Sequence, residues 1–130
     1  MARNVPVETS LGFFYGRDCI FLDRVVFNAV TRTLLMEGDV NGTLCTAAPS
    51  DDFIPYALCF RGVVAYTSID LDLSSYNWQS CFDEIVDSAW LLSLAGNVTL
   101  QHRHFVVQTY DDVFEVICEG FEFEVRQIAA

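Results

Sequence analysis

This 130-residue sequence predicts an α+β fold, an antiparallel sheet of five or six strands with one helix packed on one face. Three observations predict it. Short runs alternate apolar and polar residues, a single stretch near residue 80 has helical spacing, and the chain has room for only one core. Residues 1–130 therefore read as a single domain. With 52% of residues hydrophobic and only 19% charged, the composition excludes disorder.

Residues 1–16 read as an irregular N-terminal arm, although Leu11–Tyr15 (LGFFY) is apolar enough to dock on the body. Strands are expected over 18–28 and 33–40, joined by a turn around Ala29–Arg32. The stretch 41–55, with Gly, Thr, Ala, Pro, Ser and two Asp, reads as a surface loop inside one sheet. An extended segment follows over 56–73, interrupted at Gly62. In its second half Ile69, Leu71 and Leu73 point one way while Asp70 and Asp72 point the other.

The helix is predicted to begin at Ser80, a natural N-cap with Asp83 three positions on. Phe82, Ile85, Val86 and Ala89 then fall on one helical face, and Gly96 supplies the stop. Trp90, Leu91, Leu92 and Leu94 leave almost no polar side, which suits core packing or a subunit interface. A closing hairpin turns at Asp111-Asp112 and pairs Thr109 with Phe114, Val107 with Val116 and Phe105 with Cys118. The opposite face then pairs Gln108 with Glu115 and His104 with Glu119. After Gly120 the apolar parity switches to Phe121, Phe123 and Val125, which predicts a bulge or bend at that glycine.

Eighteen carboxylates against seven arginines give a net charge of −11, and there is no lysine. Residues 1–50 net −1, whereas residues 51–130 net −10. That field has the wrong sign for nucleic acid, which needs cations to displace phosphate counterions. It also opposes an anionic membrane surface, and no apolar run approaches the roughly 20 residues of a membrane span. The opening MARNVPVETS has no apolar h-region, so the expected compartment is cytoplasmic. A basic protein partner would be attracted and steered, and a homodimer is compatible with the apolar content.

Five cysteines (Cys19, Cys45, Cys59, Cys81, Cys118) are odd in number and include no CxxC, so reduced, buried thiols are expected. No GxSxG, P-loop or GxGxxG is present, and no cofactor is implied. His102-Arg103-His104 resembles the HxH of cupin metal sites. On a strand the two imidazoles would project to one side, and Glu119, across from His104, could complete a metal-ligand set. Gln108 and the lack of a third histidine depart from the cupin pattern. Asp70 and Asp72 share a strand face and could coordinate a cation or act in acid–base work, though solvated strand faces carry such pairs routinely. The eighteen aromatic side chains exceed what a small core needs. Tyr66, Tyr76, Trp78 and Tyr110, near turns or acids, are candidates for a contact surface.

The segments FRGVVAY, SSYNWQSCFDEIVDSAWL and HFVVQTYDDVFEVICEGFEFEV resemble small, acidic, strand-rich bacterial proteins. More loosely they are similar to the immunity proteins of bacterial toxin systems, which bind and neutralise a toxin. The resemblance implies a binding role and no particular residue. The expectation is a non-enzymatic interaction module using Asp70, Asp72, Tyr66 and Trp78 toward a basic partner, as an immunity-like protein or an assembly subunit. The alternative is a metal-dependent enzyme or small-ligand protein using His102, His104 and Glu119.

Overall fold

The computed structural model describes residues 2–73, 79–94 and 101–126. Strands β1 (Arg3–Pro6), β2 (Ile20–Asn28), β3 (Thr33–Asn41), β4 (Phe53–Arg61) and β5 (Ala65–Asp70) come first. Then follow β6 (Phe82–Val86), the short helix α1 (Ala89–Ser93), β7 (Arg103–Gln108), β8 (Asp112–Cys118) and β9 (Gly120–Val125). All pairings are antiparallel, as the alternation predicts. The strands form two sheets rather than one, in the orders β1-β6-β7-β8-β5 and β2-β3-β4-β9.

The two sheets share one core. Alternation in β3 buries Leu34, Met36 and Val40 against Phe82, Phe105, Val107 and Val116 of the other sheet. At its centre Phe60, Phe82, Phe105 and Phe121 are in mutual contact, with centroids 5.0–6.3 Å apart for every pair. Rings at these spacings and tilts gain edge-to-face attraction beyond burial. Much of the aromatic content is therefore core. Gly38 is required in β3 because a Cβ there would collide with the carbonyl of Phe21, where β2 bulges between Leu22 and Arg24.

The chain crosses between sheets at two neighbouring places. Gly62, at φ +63°, carries it from β4 to β5, and Glu119-Gly120 carries it from β8 to β9. The Glu119 N–H donates to the Arg61 carbonyl at 3.0 Å, so the crossings brace each other. The parity switch expected at Gly120 is therefore a change of sheet. It keeps Phe121 and Phe123 against the core, while Val125 is exposed.

Three expectations are corrected. Residues 1–16 are not an irregular arm: β1 pairs with β6, and Leu11 and Phe14 are buried, as the docking of LGFFY predicts. The strands also trim the expected 41–55 loop, since β3 runs to Asn41 and β4 begins at Phe53. The predicted helix from Ser80 is strand β6 over its first half, because β1 and β7 flank it and satisfy its backbone on both edges. Phe82 enters the shared core, whereas Ile85 faces the opposite way with Val106 and Val113. A strand buried on both faces has lost its period-2 signature, and so mimics helical spacing. Ser80 and Asp83 do bond, but as side chains at 2.5 Å. Asp87 ends the strand at φ +59°, and Ser88, not Ser80, caps α1 by accepting the Leu91 N–H. Gly96 lies outside the described residues.

Candidate functional site at an acidic, aromatic end

The β7–β8 hairpin turns at Tyr110-Asp111, one residue earlier than expected. The N–H and Oγ1 of Thr109 both donate to the Asp112 carbonyl. Register consequently slides by two residues, pairing Phe105 with Val116 and Val107 with Phe114. An even slip keeps every side chain on its predicted face.

That turn is tied to the rest of the molecule. The Tyr110 N–H donates to the Ile20 carbonyl at 2.8 Å, and the Leu71 N–H donates to the Asp111 carbonyl at 3.0 Å. Arg17 donates through Nε to the Tyr110 carbonyl at 3.2 Å and lies over its ring at 5.0 Å. The Tyr110 ring stacks on Phe21 at 5.2 Å, and Phe21 meets Phe53 edge-on at 5.6 Å. Tyr110 and Phe53 are exposed, so the stack forms an open aromatic ridge.

Carboxylates surround the ridge. Asp70 and Asp112 are directly opposite across β5 and β8. Asp72, Asp111 and Asp18 are exposed nearby. Among the described residues, Arg17 to Asp72 at 3.9 Å is the one ion pair of this end. Four of the other six arginines pair elsewhere: Arg24 and Arg126 with Glu37, Arg126 also with Glu124, Arg61 with Glu122, and Arg103 with both oxygens of Glu84, while Arg32 donates to the Val63 carbonyl. The end thus concentrates negative charge that the chain does not neutralise.

The sequence-derived candidates separate. Asp70 and Asp72 do reach this end, but they do not share a strand face. β5 stops at Asp70, residues 71–73 form a 3-10 turn, and Asp70 Oδ1 accepts the Asp72 N–H at 2.9 Å. A short acid favours such a local turn over continued extension. Tyr66 lies on the flank, 5.0 Å from the Phe27 ring. Trp78 is outside the described residues.

The imidazole pair also separates. His102 precedes β7, and Glu119 lies beyond β8 rather than across from His104, because of the shifted register. His104 sits across from Ile117 and is 2% exposed. Its Nε2 is 2.8 Å from Glu115 Oε1 and its Nδ1 is 2.6 Å from Ser88 Oγ. Both ring nitrogens are therefore occupied. Among the described residues, no three His, Cys, Asp or Glu side chains are placed to hold a metal.

Sequence reasoning missed this Ser88–His104–Glu115 chain, which draws on three separate segments and carries no local pattern. Its order of groups is that of a nucleophilic relay, which needs an accessible hydroxyl. Ser88 is also 2% exposed and caps α1, so the chain of bonds fastens the α1 segment to the sheet instead. The Trp90 ring meets His104 edge-on at 5.3 Å.

Four of the five thiols are pushed away from the thiolate form. Burial pushes Cys118 and Cys45 up to about 12. Cys19 is raised by its hydrogen bond with Cys81 and by burial, and Cys59 by burial and Glu122. All five are free, with Cys19, Cys81 and Cys118 buried and the other two half-buried.

No family model matches the chain, and no curated protein or solved structure matches it significantly. Among the described residues no helix is long and apolar enough to cross a membrane.

Proposed function

We propose that this protein is a non-enzymatic interaction module whose acidic end receives a basic protein surface, in the manner of an immunity protein or an assembly subunit. One observation carries the reading: Asp70 and Asp112 face each other across adjacent strands, and Asp72 and Asp111 are their neighbours along the chain. Directly opposed like charges cost roughly 0.2–1 kcal/mol of fold stability. A lysine or arginine from a partner removes that repulsion. Near a protein surface each such contact gains up to about 4 kcal/mol before desolvation is subtracted. The Tyr110–Phe21–Phe53 ridge adds rigid rings of the kind that anchor interfaces, beside charges that steer approach.

Titration calorimetry with an arginine- and lysine-rich peptide tests the reading. The triple variant Asp18→Asn, Asp72→Asn, Asp111→Asn should weaken binding more than tenfold at low salt. The triple variant Glu8→Gln, Glu122→Gln, Glu124→Gln makes the same change in net charge away from this end and should weaken binding far less. Equal losses, or binding indifferent to salt, would overturn the proposal.

A further inference from the structure

Two open sheet edges share one flank. β5 is an edge of the five-stranded sheet, β2 is an edge of the other, and the Phe27–Tyr66 ring contact brings them side by side. The bond from the Leu71 N–H to the Asp111 carbonyl continues the β5–β8 register and sets its phase. Alternate residues Ala65, Thr67 and Ile69 therefore bond toward β8, while Tyr66, Ser68 and Asp70 direct N–H and C=O outward. Among the described residues no strand pairs with that edge.

Exposed edges are normally blunted by lysine, proline or an inward charge. Ala65–Ile69 has none of these, and the one charge of β5 is Asp70 at its end. Val64, Tyr66 and Ile69 are 37–40% exposed, with Val25 and Val26 exposed on β2 alongside.

We infer that this flank is the interface of a symmetric dimer, in which β5 of two copies pairs antiparallel about a two-fold axis at Ser68. Three features select a second copy as the occupant. First, in that register Tyr66 faces Asp70 of the partner subunit, and Thr67 faces the partner's Ile69, a β-branched pair suited to cross-strand contact. Second, the ends of β5 are complementary in charge. Arg32 stands at the N-terminal end, bonded through Nε to the Val63 carbonyl at 2.9 Å and lying over Phe27 at 4.9 Å. Asp70 stands at the other end, opposite only another carboxylate. The two-fold brings Arg32 to the partner's Asp70 twice, and it sends the two acidic ends to opposite extremes, which limits repulsion between the copies. Third, both layers end on this flank, so the occupant that covers both must itself present two edges. A second copy does, and an isologous interface of this kind is self-complementary.

The inference shares Asp70 with the acidic end but rests on the pairing of β5, so its tests read association of the chain with itself rather than binding of a basic peptide. Light scattering after size exclusion, on the full chain, should give twice the 14.7 kDa chain mass. Ser68→Pro removes an outward N–H and no ladder bond, and should give a folded monomer, checked by circular dichroism. Asp70→Arg or Arg32→Glu alone should weaken dimerisation by roughly fivefold or more, and the two together should restore it. The triple variant Asp18→Asn, Asp72→Asn, Asp111→Asn should remain dimeric. A wild-type chain that stays monomeric, a dimer indifferent to Ser68→Pro, or a double charge swap that fails to restore association would each overturn it.

Discussion

Ser88 Oγ lies 2.6 Å from Nδ1 of His104, and the same oxygen accepts the Leu91 N–H that starts α1. One hydroxyl thus joins a helix cap to the buried outer face of the five-stranded sheet. Ser88→Ala removes the cap and leaves a buried imidazole nitrogen unpaired. The expected cost is about 2–3 kcal/mol, combining a cap of about 1 with an unsatisfied polar group. Urea unfolding of the variant against wild type measures it, and Ser88→Thr, which keeps the hydroxyl, should recover much of the loss.

With both His104 nitrogens already bonded, a metal would have to displace Ser88 or Glu115. Added zinc, or prolonged chelation, should leave the melting temperature unchanged. A stabilising shift on zinc addition that is lost in His104→Ala would restore the histidine-centred reading.

Asp83 is fully buried and accepts from Ser80 Oγ, from Asn4 Nδ2 at 3.2 Å and from the Gln79 N–H at 3.1 Å. Asn4 is on β1, so this carboxyl holds the N-terminal strand to β6. Removing it leaves the buried Ser80 hydroxyl without this acceptor, at about 1–3 kcal/mol, and frees two less buried donors, Asn4 and the Gln79 N–H. Asp83→Ala should therefore destabilise by about 2–4 kcal/mol, and hydrogen exchange across β1 should accelerate before the rest of the sheet.

Phe60 touches Phe82, Phe105 and Phe121 and is fully buried. Phe60→Ala opens a cavity between the sheets and should cost about 3–5 kcal/mol. Phe53→Ala, on the exposed ridge, should cost well under about 1 kcal/mol. Thermal melts distinguish the two.

The thiols set an alkaline limit. Cys45 and Cys118 rise from an ordinary 9.0 to about 12 in the folded chain. Below pH 9 both states hold these protons and the stabilisation is complete. Between about 9 and 12 the unfolded chain loses them while the folded chain keeps them, so stability falls as pH rises. Burial of Tyr56, which also raises its phenol, adds to the same trend. The urea midpoint should decline above pH 9, and less steeply in Cys118→Ala. At neutral pH, alkylation of Cys19 and Cys118 should require unfolding.

β3 alternates buried with half-buried residues, and β2 and β3 were placed within a residue or two. The β7–β8 hairpin is buried on both faces, yet it was legible because its apolar residues keep matching parities on either side of an acidic turn. β6 was misread because neighbours cover both of its faces and both of its edges. β1 was missed because four residues containing a proline carry almost no period. Of the candidate site, the acids Asp70 and Asp72 were visible as charge. The Tyr110–Phe21–Phe53 ridge joins residues from three strands or turns whose contact no local pattern announces.

Composition and local period alone determined that the chain is antiparallel, strand-rich and anionic toward its later half, because charge and side-chain alternation are properties of neighbouring residues. Tertiary structure decided the division into two sheets, the placement of His104 against Ser88 and Glu115, and the gathering of carboxylates at one end. Those depend on where the chain crosses layers at Gly62 and Gly120, and on a two-residue slip in one hairpin. Both are settled by the packing of four phenylalanines drawn from β4, β6, β7 and β9, a constraint spread over some sixty positions of chain and therefore absent from any single window of it.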